Sequence, residues 1–396
     1  QEVSTERKQE IIEYCLKHNV ELKNVPPAEK WLNGELSLNQ IKNVRIDDLL
    51  EREPIKLDKD QITHGITDKV IMVTGASGSI GSEVVRQLIY FNPTLIVLVD
   101  QSESPLNDLQ LELNEYFDFI NFEPVIGDVR DQVRIDKIIN YYKPHVIYHV
   151  AAYKHVPLLE LNPNEAITTN VLGTKIVADL SIKYDVEKFV MISTDKAVNP
   201  TNVMGASKRI AEIYAQSLNG FLDSINGDVN TSFITTRFGN VLGSNGSVIP
   251  RFRKQIENGG PVTVTHPDIS RYFMTIPEAC QLILEAGVIG EGGEVFIFDM
   301  GESVRIVDLA RKMIKLSGFE PYKDISIKFT GLRQGEKIYE ELLNQEEGTL
   351  PTHHEKIMIA KVREYSFNQV SGWTARSPNN SFSPYSPSEH VLLVCK

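Results

Sequence analysis

An apolar strand, Lys188 to Ile192, runs through Ser193 into a hydroxyl, a carboxylate and an amine at Thr194, Asp195 and Lys196. Beyond it, the helix-compatible run Val203-Met204-Gly205-Ala206-Ser207-Lys208 sets Met204 and Lys208 four apart, on one face of a turn. A carboxylate beside an amine can give and take protons on one substrate, each transfer typically worth ~10²–10⁴ in rate. Surface ion pairs use the same letters. The strand-end position favours chemistry here, because ligands of open α/β sheets bind at the carboxyl ends of the strands. A methionine carries no proton, so the proton chemistry rests on Thr194, Asp195 and Lys196.

Strands that could hold such a site alternate with helical patterns from Lys69 onward. Val70–Thr74, Leu95–Asp100, Phe122–Gly127, Val146–Val150, Phe189–Ser193 and Ser232–Phe238 read as strands, with helices over Gly81–Tyr90, Gln132–Tyr142 and Glu165–Lys183. Buried, branched-aliphatic strands in β-α alternation predict a doubly wound parallel sheet of the Rossmann type. Residues 67–240 are expected to form the nucleotide-binding domain with the catalytic residues, and 241–370, Gly-rich with shorter elements, a smaller substrate-binding lobe mixed with late sheet elements. Residues 1–66 are charged, with helical spacing at Glu10–His18, a break at Val25-Pro26-Pro27 and a polar connector at Asp58–Gln61. They read as an arm at the end of a preceding region. Residues 371–396, rich in Ser, Pro and Asn, read as a disordered or appended tail.

Thr74-Gly75-Ala76-Ser77-Gly78-Ser79-Ile80-Gly81 follows the first strand and opens a helix. Its glycines allow a tight turn and bring Gly75, Ser77, Gly78, Ser79, Ile80 and Gly81 against a pyrophosphate at the helix N-terminus. Asp100 ends the next strand, nineteen residues past Gly81, where a carboxylate accepts from adenosine ribose hydroxyls. It would repel a 2′-phosphate, so NAD is expected over NADP; a helix-capping role for Asp100 is the plainer alternative. Asp128 and Val129 close the third strand at the height of an adenine ring, and Ala151 and Ala152 follow the fourth beside the dinucleotide.

Length and composition set the outer limits. The 396 residues, 41% of them apolar, can fill one large or two medium domains. A net charge of -12 argues against nucleic acid, which wants a basic face. Cys15, Cys280 and Cys395 are scattered and read as free thiols in a reducing compartment. No run of ~20 apolar residues is present for a membrane span, and no His/Cys/Asp cluster suggests a metal.

The joint pattern resembles the nucleotide-sugar 4,6-dehydratases of the extended short-chain dehydrogenase/reductase superfamily, over residues of about 68–365. The match is carried by Ala151-Ala152-Tyr153-Lys154-His155-Val156-Pro157, Asn170-Val171-Leu172-Gly173-Thr174, Ser193 through Lys208, Arg237 through Ser244, and Gly331-Leu332-Arg333-Gln334-Gly335-Glu336-Lys337. More narrowly it resembles the bacterial capsular and O-antigen polysaccharide-biosynthesis branch acting on UDP-N-acetylglucosamine. The superfamily's usual tyrosine, four residues before the lysine, is Met204 here, as in the large membrane-attached members. The chain therefore resembles a soluble truncation of such a protein, cytoplasmic itself, making no membrane contact and expected to be a homo-oligomer.

The resemblance implies a lyase that recycles its cofactor: hydride leaves sugar C4, the C5 proton and the C6 hydroxyl are lost, and the hydride returns to C6. It assigns Lys196 as the C5 base and Asp195 as the acid toward the C6 hydroxyl. Lys208 goes to the nicotinamide ribose and Thr194 to the C4 hydroxyl. What takes the C4 hydroxyl proton without a tyrosine stays open, as does how Lys196 becomes basic, through burial or through cationic Lys208.

Substrate contacts are expected from Lys154 and His155 after the fourth strand and from Asn240 past the sixth. The resemblance adds Asn170 and Glu336, and Arg251, Arg271 and Arg333 of the second lobe would suit a pyrophosphate. A solvated lysine, a core histidine and ordinary surface charge at Arg251 are the plainer alternatives. The favoured activity is a C5-retaining UDP-N-acetylglucosamine 4,6-dehydratase. Its competitors are a C5-inverting dehydratase, a UDP-hexose 4-epimerase and a catalytically silent NAD-binding regulator.

Overall fold

In a computed structural model, residues 57–117, 121–225, 230–344 and 347–374 are described, with Ile55 and scattered positions before it. Most of the expected arm, including the Pro26-Pro27 break, lies outside those residues, as do residues 375–396.

The chain divides into two units. The larger runs through Asn240 and regains the chain at Ile276–Gly301 and from Arg333 on; the smaller holds Val241–Thr275 and Glu302–Leu332. The boundary between the two units falls between Asn240 and Val241, and the smaller unit is discontinuous beyond it. Two later segments return to the large unit because its sheet needs them.

That sheet has nine strands among the described residues. Seven are parallel: β1 (Val70–Thr74), β2 (Leu95–Asp100), β3 (Phe122–Ile126), β4 (Val146–His149), β5 (Lys188–Thr194), β6 (Ser232–Phe238) and β7 (Val295–Phe298). Two antiparallel strands, β8 (Gly348–Pro351) and β9 (Ile357–Lys361), extend it to the order β8-β9-β7-β6-β5-β4-β1-β2-β3. The order reverses between β1 and β4, and a dinucleotide crevice opens at such a switch point, outside the strands' carboxyl ends. The central strands are apolar on both faces, as residues covered by helices on both sides must be: Ile71, Met72 and Val73 of β1 and Phe189, Val190 and Met191 of β5 are all fully buried.

Helices α1 (Lys59–Ile66), α2 (Ser79–Leu88), α3 (Glu103–Tyr116), α4 (Gln132–Tyr142), α5 (Thr174–Lys183) and α6 (Val203–Ser224) alternate with the strands. The expected polar connector at Asp58–Gln61 is instead the capped start of α1: the Asp58 carboxylate accepts from the Gln61 N–H, and Ile62 and Ile66 are buried. The helix expected over Glu165–Lys183 is α-helical at both ends, with a π-helical stretch at Ile167–Gly173. Past α7 (Ile276–Ile289), the chain ends its described part in α8 (Phe367–Thr374), so the start of the expected disordered tail is ordered, with Val370 buried in the core.

The smaller unit pairs Val262–Val264 with Ile327–Phe329 in parallel and Ser270–Arg271 with Val304–Arg305 antiparallel. Its core is Phe252, Ile256, Val262, Ile314 and their neighbours, beneath the helices Val248–Glu257 and Ile306–Leu316. Among the described residues no helix is long and apolar enough to cross a membrane.

Candidate active site

Strand β5 delivers Thr194 at its last position, and a single 3-10 turn carries Asp195 and Lys196. Helix α6 begins immediately beyond, its first turn capped by the Asn202 side chain accepting from the Gly205 N–H at 2.8 Å. A Cβ at position 205 would stand 2.1 Å from the Lys196 carbonyl oxygen, so only glycine lets α6 pack on the catalytic turn. That close approach fixes Met204 and Lys208 relative to Thr194–Lys196.

The three chemical groups converge on one oxygen. The Thr194 hydroxyl donates to Asp195 Oδ1 at 2.8 Å, and Lys196 Nζ donates to the same atom at 2.9 Å. Lys196 also donates to Asn240 Oδ1 at 3.2 Å. Asp195 is fully buried, and its second oxygen, Oδ2, has no hydrogen-bond partner among the described residues. The Lys196 side chain is only 16% exposed, so this is no solvated surface pair. A buried carboxylate oxygen left unsatisfied is costly in a fold without a use for it, and one beside a strand-end amine suits a transferable proton.

Met204 lies in an apolar cluster with Leu159, Ala166 and Val203, with Tyr153 and Val156 packed against it. Lys208 is 6% exposed and donates to the Ile192 carbonyl at 2.9 Å. Burial pushes its ammonium down to about 8, against the opposing pull of Glu212. Glu212 is itself held at about 2, because Arg237 and Arg209 outweigh its burial. This buried charge group escaped the sequence reading; the signal available was a Glu four residues after Lys208 on the same helix.

The glycines between β1 and α2 form a tight turn of the kind that cradles a dinucleotide. A Cβ on Gly81 would lie 2.1 Å from the Gly75 carbonyl, closing the turn that the Gly75–Gly81 backbone makes. Gly78 is the N-cap of α2 and makes no side-chain cap bond, at a helix end of the kind that receives an anion. Ser77, Ser79 and Ile80 line the same turn, half-buried. Asp100 accepts from the Ser77 N–H at 3.0 Å and from the Ser102 N–H at 2.9 Å. It therefore ties the glycine loop to the turn that enters α3, whose N-cap is Ser102 and not Asp100. Asp128 is clamped by Arg130, whose hydrogen bonds hold the carboxyl below its usual range, with Val129 buried next to it. Ala151 donates to Thr74 Oγ1 at 3.4 Å, and Ala152 is half-buried behind it. His149, fully buried, pairs with Thr74 and Thr174, and burial drives it to about 3, leaving a neutral imidazole that braces the cradle. These residues fit a dinucleotide: an open loop, a helix N-terminus and an oriented carboxylate lie at the sheet's switch point.

The substrate expectations divide. Lys154 and His155 are exposed after β4, His155 at the N-cap of the short helix Val156–Leu161. Asn170 needs correction: it is fully buried, and its amide is spent on the Tyr153 backbone and on Ser207 Oγ. It positions the 151–153 loop and is not presented to a ligand. Asn240 is brought to Lys196. Arg333 also needs correction, since it belongs to the large unit and not to the second lobe. It is exposed, its N–H donating to Glu336 Oε2 at 3.1 Å. Within the smaller unit, Arg251 is exposed and donates to Thr263, while Arg271 is buried with Nη1 on the Ser270 carbonyl.

A doubly wound sheet with a Gly75–Gly81 cradle and a Thr-Asp-Lys strand end defines an extended short-chain dehydrogenase/reductase. Within that class the chain belongs to the polysaccharide biosynthesis protein family, whose sequence profile matches residues 71–362. It is 52% identical to the capsular polysaccharide biosynthesis protein CapD of Staphylococcus aureus over 93% of this chain and 60% of that relative. The chain thus spans well under two thirds of that relative's length. It is 37% identical to a UDP-glucose 4-epimerase of Rickettsia canadensis over 71% of this chain and 79% of the relative. Among solved structures, Pen from Bacillus thuringiensis superposes with a TM-score of 0.68 at 31% identity, covering 78% of this chain and 97% of that one.

Proposed function

We propose that this chain is the catalytic part of an NAD-dependent UDP-N-acetylglucosamine 4,6-dehydratase, retaining C5 configuration and serving bacterial surface-polysaccharide synthesis. The observation that carries the reading is the meeting of Thr194 and Lys196 on Asp195 Oδ1, with Oδ2 unpartnered and Met204 in an apolar wall. Gly75–Gly81, Asp100, Asp128, Val129, Ala151, Ala152 and Lys208 would hold the dinucleotide, which when bound would supply a hydride acceptor for C4 and donor for C6. The negative Asp100 at the ribose position supports NAD over NADP.

The proton path follows from the hydrogen bonds. Thr194 commits its own proton to Asp195 and accepts from the Lys196 N–H at 3.4 Å, which leaves one lone pair to accept from the C4 hydroxyl. As the C4 hydrogen leaves, the hydroxyl proton moves through Thr194 onto Asp195. Lys196, as the amine, takes the C5 proton, made acidic by the new ketone. Asp195 then gives its proton to the departing C6 hydroxyl, and Lys196 returns its proton to C5. Asp195 thus ends as the carboxylate and Lys196 as the amine, and the net change is loss of one water. No tyrosine is needed.

An epimerase is the second reading, favoured by the identity to the Rickettsia protein. Epimerisation at C4 needs no base at C5 and no acid at C6, so the Asp195–Lys196 pair supports dehydration. Incubation with UDP-N-acetylglucosamine, followed by mass and NMR spectra, separates them: a 4-keto-6-deoxy product is expected. A C4 epimer of unchanged mass supports the epimerase, and no conversion supports a silent cofactor-binding protein.

Two further results are expected. Met204→Leu, close in volume, should keep kcat within ~threefold, since an apolar swap at a wall costs little; a loss of ~10³ would give the thioether a chemical part. Lys208 sets the pH response. Its ammonium, needed beside the nicotinamide ribose, is lost as pH rises through about 8, so kcat/KM should fall on that limb. The fold responds in the opposite sense. The unfolded lysine binds its proton up to the ordinary 10.5, so stability gains from this group as pH climbs from about 8 toward that value. A pH profile flat through this window would remove Lys208 from the mechanism.

A further inference from the structure

We infer that Glu340 is a positioning residue for the base: it pairs with Lys196 in addition to Asp195 and stabilises the ammonium formed when the C5 proton arrives. The inference rests on the reading of Lys196 as that base. Glu340 Oε1 lies 3.9 Å from Lys196 Nζ, and the Glu340 side chain is 4% exposed. A carboxylate that well removed from water is retained where a charge meets it, and the Lys196 amine is a charge within ion-pair distance.

The route by which Glu340 arrives there argues for design over accident. Residues Gly335–Glu341 are stapled to the loop that links Lys196 to α6. The Gly335 carbonyl accepts from Thr201 Oγ1 at 2.9 Å and from Asn202 Nδ2 at 3.0 Å. Lys337 Nζ donates to the Val198 carbonyl at 3.0 Å, and Asn199 Nδ2 donates to Glu341 Oε2 at 3.2 Å. Asn202 is also the cap of α6, so one side chain ties the staple to the helix that packs on the catalytic turn. The Gly331–Lys337 motif thus acts, at its Gly335 and Lys337 positions, on the base loop.

Chemically, Lys196 is the only one of the three groups that gains a positive charge during the cycle. Asp195 becomes neutral when it receives the C4 proton, so at the moment of C5 abstraction it no longer balances the ammonium. Glu340 supplies the missing negative charge at that step. A base oriented and charge-balanced by a carboxylate behind it is a recurring arrangement in proton-transfer sites.

The test compares the unmutated protein, Glu340→Gln and Glu340→Asp with UDP-N-acetylglucosamine in D2O, reading kcat, KM and deuterium incorporation at C5. Glu340→Gln is expected to lower kcat on the order of 10²-fold, with C5 exchange falling in parallel and KM within ~threefold. Glu340→Asp, keeping the charge, should recover part of the loss. Glu340→Gln at near wild-type kcat overturns the inference, as does a loss of kcat with C5 exchange unchanged. If Glu340→Gln does not fold, the Lys196→Met/Glu340→Gln pair decides. The inference requires the double variant to fold, since both charges leave together, and an equally unfolded double contradicts it. Failure of the unmutated protein to lose water from the sugar overturns the functional reading itself, a different result from any of these.

Discussion

Lys196→Ala is expected to reduce dehydration by ~10³–10⁴, while UDP and NAD affinity stay close to wild type. The size follows from the role. Without the amine nothing takes the C5 proton, and Asp195, Asn240 and Glu340 are acceptors around an empty place. The preceding step survives, because the Thr194–Asp195 bond does not pass through Lys196. Mixing the variant with substrate should therefore produce the near-ultraviolet absorbance of reduced nicotinamide, which persists because the reaction cannot proceed. C5 should show no solvent deuterium. A solvated ion pair would behave otherwise, since removing one usually changes stability and activity little. Near-wild-type turnover would end the assignment.

Asp195→Asn should be as damaging, by ~10³ or more, and at an earlier point. Asparagine keeps an oxygen for Thr194 and Lys196 to donate to, so the local hydrogen bonds and the fold survive. What it cannot do is accept the C4 hydroxyl proton relayed by Thr194, or protonate the C6 hydroxyl. Reduced nicotinamide should fail to appear, and C5 exchange should be absent for want of the ketone. The two variants thus separate by one spectrum: a band with Lys196→Ala, none with Asp195→Asn. The same band in both would take the C4 proton away from Asp195 and leave it only the C6 acid role.

The parts legible in the sequence were those fixed by local pattern. β1 and β2 have the bounds their apolar runs predict, because a strand buried on both faces writes itself as an unbroken apolar stretch. The glycine loop, Asp100 and the Thr-Asp-Lys end were readable for the same reason: each is a short segment whose residue types are dictated by backbone geometry or by the chemistry beside it. What escaped depends on contacts between distant segments. Nothing local says that Val295–Phe298 joins the sheet beside β6 while Glu302–Leu332 leaves the unit. Asn170 looked like a ligand contact because its letter does not reveal that Tyr153 and Ser207 consume its amide. Glu340 and Glu341 are the same letter side by side. Only the register set by Gly335 and Lys337 sends one to Lys196 and the other to Asn199. The missing tyrosine was readable, and the Thr194–Asp195 hydrogen bond beside it was not, since a hydrogen-bond direction has no sequence signal.

The central claim is that one hydride and two protons circulate within a single site. The most direct measurement uses UDP-N-acetylglucosamine carrying deuterium at C4, in ordinary water and without added NAD. The account predicts a 4-keto product whose C6 methyl group holds that deuterium, with a solvent proton at C5. Deuterium retained at C4 of an epimerised sugar, or lost from the methyl group of the product, would contradict it.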